Sequence, residues 1–400
     1  PTLTVGGRKE ELTWEEALTV AAEKLQRISA AGKGIGFIVS PRVTNEELFL
    51  ISEIAGRFPE AAVASSAYYH TGKVAAAFRK RGMGFTVGYD GIAGCDLIVV
   101  AGADLLINNH LLANRVREVV KTKGARVVVV DPLPAALARI ADAHVQVAPG
   151  QDAALFNRIS RRLLEAGVHA KEAEGLEGFA GYKQLLLSAS IPAAAPGGDD
   201  DEAVEKAWRF IANAERIAVV FGSGISDCDE SLEALLNLCL LKGVPERGMI
   251  IPISLQANAR GTAAILAPLA SPDEVLRAAD TAGIFFYEED PFQYLNGETV
   301  KEALAGKEFI IACDLFPTAA TAADGLTVPA SSFAEKEGTV VSGDGTPHAV
   351  RKAVAGKPGG PEFLRELLSR LGGKSYNGDE LMADLIKGLL AKEGDAGEGA

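Results

Sequence analysis

The run Arg126–Val130 (RVVVV), halted by Asp131-Pro132, is the feature that most narrows what this chain can fold into. It is too short for a free-standing helix, and its β-branched side chains suit both faces of a strand. Such a strand is covered on both sides, as in parallel sheets. Asp131 then stands at the strand's carboxyl end, where open α/β sheets form ligand crevices. Downstream, Leu133–Ala141 reads as a short helix, His144–Val147 as a strand and Pro149-Gly150 as a turn. Asp152–Glu165 reads as a helix with Asp152 as its N-cap. Two carboxylates, Asp131 and Asp152, are thereby expected near one sheet edge. The plainer reading, one acid ending a strand and another capping a helix, stands beside it.

The same alternation runs through the chain. Thr13-Trp14-Glu15-Glu16 opens a helix to Ile28 with a capping-box pattern. Gly34–Ser40 is a strand, Thr44–Phe58 an amphipathic helix, Cys95–Ala101 a strand and Leu111–Lys121 a helix. The glycines of AAGKG precede a strand instead of following one, so they form no dinucleotide fingerprint. Between Lys171 and Asp201 the composition turns to Ala, Gly, Pro and Ser, which reads as a linker or long excursion.

A second series follows: helix Ala203–Ala214, strand Arg216–Phe221, helix Ser231–Leu241, extended Met249–Ile253 and helix Asp273–Ala279. Strand Gly283–Tyr287, helix Thr299–Leu304 and strand Glu308–Ala312 complete it. Phe333–Gly338 and Ser342–Gly345 read as turns, and Pro361–Leu371 and Asp379–Leu390 as helices. The tail from Glu393 to Ala400 is expected to be disordered. The pattern implies an α/β fold of two Rossmann-like parallel-sheet units. Residues 1–65 open unit A, 66–200 form unit B with its linker, 201–356 complete unit A, and 357–400 add C-terminal helices and a tail.

Several function classes are excluded. With 40 basic against 53 acidic residues the net charge is −13, and no concentrated basic surface is visible for a nucleic-acid backbone. No stretch reaches the roughly 18–20 apolar residues of a membrane-spanning helix. The four cysteines, Cys95, Cys228, Cys239 and Cys313, form no C-x-x-C pair, so the chain supplies no local iron–sulfur or structural zinc site. They read as reduced core residues of a cytoplasmic protein. His70, His110, His144, His169 and His348 include no pair at metal-binding spacing, and His144 reads as structural. Neither a G-x-S-x-G elbow nor a P-loop lysine is present.

On physical grounds the best phosphate-loop candidate is Gly222-Ser223-Gly224, directly after a strand, with a plain tight turn as the alternative. Glu288-Glu289-Asp290-Pro291 follows another strand. Its carboxylates would repel a phosphate, which leaves metal or hydroxyl ligation, or solvent exposure. Asp314 and Asp324 show no partner. These motifs describe a nucleotide-sized crevice and no reaction.

Ordered motifs from about Thr13 to Gly360 add a resemblance. VVVVDP, a helix, then AD and PG-x-D-A-A-L resembles the central signature of the molybdopterin oxidoreductase superfamily. GCDLIVVAGADLLINNHLLANRVREVV, the glycine-rich segment 222–261 with Asn258 and Gly261, Glu288–Pro291 and DLFPTAATAADGLTVPASSFAEKEGT are similar to further elements of it. The resemblance implies a pterin-nucleotide crevice at Gly102, Asp104, Asp131, Gly150, Asp152, Gly222, Gly224, Asn258 and Asp290. In that family the acids matching Asp131 and Asp152 help hold the guanosine end of the cofactor.

The departures shape the functional expectation. Family enzymes ligate molybdenum or tungsten through Cys, selenocysteine, Ser or Asp, but the matching position before His70 is Tyr69, with Ser65 and Ser66 nearby. Leu133 replaces the family's Arg, Glu288 its Gly and Ser342 its Asn, and no C-terminal β-barrel follows. Among family branches the pattern is most similar to the large iron–sulfur subunit of NADH:quinone oxidoreductase, respiratory complex I.

That resemblance implies a cofactor-free scaffold, with molybdopterin unexpected and Tyr69 and His70 marking a lost metal-ligand position. The 4Fe-4S and 2Fe-2S clusters are expected in a part before Pro1, and other NADH dehydrogenase subunits as partners. The location it implies is cytoplasmic, peripheral on the inner membrane face, without membrane insertion. One alternative is a fragment of a molybdenum or tungsten bis-pterin enzyme such as a formate dehydrogenase. Another is a nucleotide-binding α/β enzyme.

Overall fold

In the computed structural model, described for residues 1–134, 136–191, 202–377, 380–382 and 384–385, the strands in chain order are β1 (Thr2–Val5), β2 (Arg8–Glu11), β3 (Gly34–Val39), β4 (Ala61–Ala64), β5 (Leu97–Ala101), β6 (Arg126–Val130), β7 (Ala143–Val145), β8 (Ile217–Phe221), β9 (Met249–Pro252), β10 (Thr281–Tyr287), β11 (Phe309–Asp314), β12 (Gly325–Pro329), β13 (Gly338–Val341) and β14 (Pro347–Val350). They divide between two units. Unit 1 comprises Pro1–Gly72, Gln256–Gly343 and Pro347–Ala400, and unit 2 comprises Lys73–Leu255 with Asp344–Thr346. Both are α/β with parallel sheets, as the alternation predicts.

The unit 2 sheet has the order β7-β6-β5-β8-β9, with every pairing parallel. Alternate residues explain why its strands are apolar throughout. Val99, Val128, Val130 and Val219 pack on one side with Phe156 of helix Asp152–Ala166 and Leu235 of helix Asp229–Leu241. Ile98, Val100, Val127, Val129 and Val220 pack on the other with Leu112 and Val116 of helix His110–Lys123. Burying each such side chain contributes roughly 1.5–3 kcal/mol. The order reverses direction between β5 and β8, the topological switch point at which sheets of this type bind ligands.

The unit 1 sheet runs β2-β1-β12-β11-β10-β3-β4. Its five central strands are parallel, and β1 joins β12 and β2 antiparallel. Phe37, Phe285 and Tyr287 face the core shared with helices Trp14–Ala30, Asn45–Ala55 and Gly360–Arg370. Ile38, Ile284 and Phe286 face Val275 and Val300. Here the switch point lies between β3 and β10.

Several expectations need correction. The sequence reading joins residues 202–255 to 1–65, but β8 pairs with β5 and β9 with β8, so they complete the other sheet. Only a 3-10 turn, Ala136–Arg139, forms within Leu133–Ala141. The stretch after Lys171 folds in part, as a 3-10 turn at Lys171–Gly175 and a helix at Phe179–Ser188. Its end, Pro192–Asp201, lies outside the described residues, as do most of the expected Asp379–Leu390 helix and the Glu393–Ala400 tail. β13 and β14 form a hairpin where the sequence suggests only turns.

Candidate functional site

Each unit presents its own candidate edge. In unit 2 the carboxyl ends of β5, β6 and β8 bring together Gly102, Asp131 and Gly222. Gly102 has φ 55°, and a Cβ on it would stand 2.9 Å from Gly224, so only glycine lets the two loops cross this closely. A Cβ on Gly222 would stand 2.6 Å from the Gly102 carbonyl oxygen. The Gly222 N–H donates to the Ala101 carbonyl and the Gly224 N–H to that of Gly102, both at 3.1 Å. The phosphate-loop reading is thereby corrected: these glycines seal one backbone against another and spend their N–H groups there.

Asp131 and Asp152 do come together at this edge. Asp131 Oδ1 accepts from the Leu133 N–H at 2.9 Å, and its carbonyl oxygen lies 3.1 Å from His144 Nε2. Asp152 is not the helix cap; Gln151 holds that position and Asp152 is the first helical residue. Its carboxyl is buried, and burial, followed by the neighbouring charge of Asp131, raises its pKa above the usual range. No cation is among the causes of that shift. A desolvated acid with no ion pair among the described residues suits a ligand that brings neutral N–H donors. Asp104 caps the short helix Leu105–Asn108 through the Leu106 N–H at 3.0 Å, and Gly150 supplies a left-handed turn with φ 82°.

In unit 1 the carboxyl edge carries Ser40, Ser65, Ser66, Glu288, Glu289 and Asp314. Glu288 has φ 51°, the left-handed conformation a side chain enters at a cost, which explains why the family places glycine there. Its carboxylate accepts from Lys336 Nζ at 2.7 Å, and the same ammonium donates to Glu47 Oε1 at 3.0 Å. The Tyr287 hydroxyl also donates to Glu47 Oε1, at 2.7 Å. Burial, then the Glu47 charge, pushes the Glu288 pKa up to about 7 despite Lys336.

Glu289 is 5 % exposed, and burial pushes it to about 7 as well. The hydroxyls of Ser66, Tyr294 and Ser40 and the charge of Arg42 draw it partly back. None of these groups completes a well-formed hydrogen bond to Oε2, which has no partner. Asp290 caps the turn Pro291–Gln293 through the Phe292 N–H at 3.1 Å. The expected metal or solvent-facing role of this acidic run is therefore corrected: one member is ion-paired, one buried and one a cap. Among the described residues no group of three His, Cys, Asp or Glu is placed to hold a metal.

Asn258 is absorbed by the fold. Its amide donates to the Val43 carbonyl at 2.8 Å and to Asn45 Oδ1 at 2.9 Å, and its oxygen accepts from the Val341 N–H at 2.7 Å. Glu46 accepts from the Thr339 N–H at 2.7 Å and its hydroxyl at 2.9 Å. Segments far apart in sequence thus meet at the start of helix Asn45–Ala55. Thr44-Asn45-Glu46-Glu47 carried no sequence signal beyond that of a helix start.

Tyr69 ends the 3-10 turn Ser66–Tyr69, and His70 follows it. The Tyr69 hydroxyl lies 3.4 Å from Ser271 Oγ, and its ring packs on Tyr294 at 5.8 Å between centroids. Ser65 Oγ accepts from the Ala67 N–H at 3.3 Å.

Comparison with known proteins adds the class. The family model described as molybdopterin oxidoreductase matches residues 4–359. The chain belongs to the molybdopterin oxidoreductase family. It is 25% identical to the F420-dependent formate dehydrogenase subunit alpha of Methanocaldococcus jannaschii, over 95% of this chain and 62% of that one. It is 25% identical to the NADPH-Fe(3+) oxidoreductase subunit alpha of Geobacter sulfurreducens (93% and 49%) and 24% identical to formate dehydrogenase H of Escherichia coli (96% and 61%). The chain thus spans about half to three fifths of the length of these curated relatives. Acetylene hydratase from Pelobacter acetylenicus shares the fold, with a TM-score of 0.74 at 18% identity over 93% of this chain and 61% of that one.

Two expectations fall with these findings. Relatives named as formate dehydrogenases and an NADPH-Fe(3+) oxidoreductase replace the reading as a cofactor-free scaffold of an NADH dehydrogenase, together with its complex I partners. Family membership overturns the expectation that molybdopterin is absent. That expectation rested on local losses at 69 and 133, whereas buried Asp152 with half-buried Asp131 remains suited to a donor-bearing nucleotide. The nucleotide end of the cofactor therefore fits the residues present. The metal end does not, because the oxygen-bearing side chains of 65–69 whose partners are described turn into their own unit. No helix among the described residues is long and apolar enough to cross a membrane.

Proposed function

We propose that this chain is the pterin-nucleotide-binding body of a molybdenum or tungsten oxidoreductase of the formate dehydrogenase type, acting on a small carboxylate such as formate. The observation that carries the reading is the buried Asp152, which has no ion pair among the described residues, beside Asp131 at the carboxyl edge of the unit 2 sheet. Ionised, the two carboxylates accept from the N–H edge of a guanine, whose neutral donors relieve their mutual repulsion. Gly102 and Gly222 keep the loops at this edge close together, which fixes the backbone beside Asp131. When bound, the cofactor supplies two-electron redox chemistry; this chain's residues bind and orient it. The names of the relatives support a partner subunit that exchanges electrons with the site.

The test is cofactor content. Protein produced in a host that makes molybdopterin guanine dinucleotide is expected to release GMP and a fluorescent pterin derivative on acid treatment. Asp131→Asn and Asp152→Asn are each expected to lower the yield at least tenfold while the chain stays folded. Wild-type protein carrying neither pterin nor GMP overturns the proposal.

A further inference from the structure

The geometry points to a metal centre that takes no ligand from the side chains of Ser65, Ser66 or Tyr69, an inference that rests on the function proposed above. In the family this segment provides the protein's own ligand to the metal. Here the matching side chain is a phenol more than twice the length of a cysteine or serine side chain, and unit 1 holds it by its tip. The Tyr69 hydroxyl shares a hydrogen with Ser271 Oγ at 3.4 Å. Its ring lies edge-on to Tyr68, 5.5 Å between centroids, and tilted against Tyr294.

The neighbouring hydroxyls offer no substitute. Ser65 is 0 % exposed, and its Oγ accepts from the Ala67 N–H at 3.3 Å as the cap of the turn. Freeing it as a ligand would uncap the turn that positions Tyr69. Ser66 is 8 % exposed, and its hydroxyl stands by the Glu289 carboxyl. Loss of its proton to make an alkoxide ligand would place a second negative charge against a buried acid, which low local dielectric makes costly. Ser65 and Tyr69 are thus engaged within unit 1, and Ser66 is buried beside an acid. A metal bound by this chain would take its ligands from groups other than these three side chains, and the contacts of Tyr69 serve the packing of unit 1.

The experiment is X-ray absorption at the metal edge on the full chain loaded with its cofactor, for wild type, Ser66→Ala and Tyr69→Phe. Metal and pterin are counted in parallel, and circular dichroism checks folding. The expected result is an unchanged nearest-neighbour shell in both variants, with metal content within twofold of wild type. Loss of one oxygen neighbour in either variant, or a visible phenolate-to-metal band that disappears in Tyr69→Phe, overturns the inference and leaves the proposed function standing. Wild-type protein without metal or pterin overturns the proposed function itself, so the two failures are told apart.

Discussion

Glu289 and Lys336 set the pH response of unit 1. Glu289 carries a pKa pushed from 4.5 to about 7, so between those values the folded chain binds more protons than the unfolded one. Stability therefore falls as pH rises through that window. Glu289→Gln, neutral at every pH, is expected to flatten this fall, read as the dependence of the urea midpoint on pH from 4.5 to 8. The Lys336 ammonium donates to both Glu47 and Glu288. Lys336→Met leaves buried Glu47 and partly buried Glu288 without their shared cation and is expected to cost roughly 3–5 kcal/mol. The loss should shrink on acidification as Glu288 takes up a proton, and denaturation at pH 5 and 8 measures it. None of this was visible in the sequence, because 289 positions separate Lys336 from Glu47. Asp131 and Asp152 were legible as neighbours, since one strand-turn-helix passage links them.

At the scale of elements, the strands buried on both faces announced themselves because every residue has somewhere apolar to point. β4 (AAVA) did not, for small side chains give no alternation to read. The β1–β2 hairpin was missed although Gly6-Gly7, with φ 56° and 74°, is a pair that two-residue hairpin turns favour, because β2 (RKEE) has no apolar alternation. The crossing of Gly102 with Gly224 was also hidden, because sequence shows a turn but not what leans on it. Gly102→Ala must place a Cβ at φ 55°, 2.9 Å from Gly224. It is expected to cost about 2–4 kcal/mol, combining backbone strain with overpacking, as a lowered urea midpoint. Thr13→Ala removes one arm of the capping box on helix Trp14–Ala30 and is expected to cost about 1 kcal/mol in the same assay.

At the scale of the molecule, unit 2 is one nearly continuous insertion into unit 1, which is assembled from three pieces of chain. All five strands of the unit 2 sheet lie within residues 73–255, and the remainder of the unit is Asp344–Thr346, where the Asp344 carbonyl accepts from the Gly88 N–H at 2.8 Å. The stretch 73–255 expressed alone is expected to fold, giving cooperative unfolding and protected amides in β5, β6 and β8; non-cooperative melting would refute this.

Unit 1 has no such autonomy, and the order of synthesis sharpens the contrast. β3 carries six buried residues, yet its neighbour β10 is translated about 250 residues later, a delay of roughly 12–50 s at 5–20 residues per second. For that interval β4 and helices Trp14–Ala30 and Asn45–Ala55 can cover part of Gly34–Val39, but its other hydrogen-bonding edge stays bare until the chain's later half arrives.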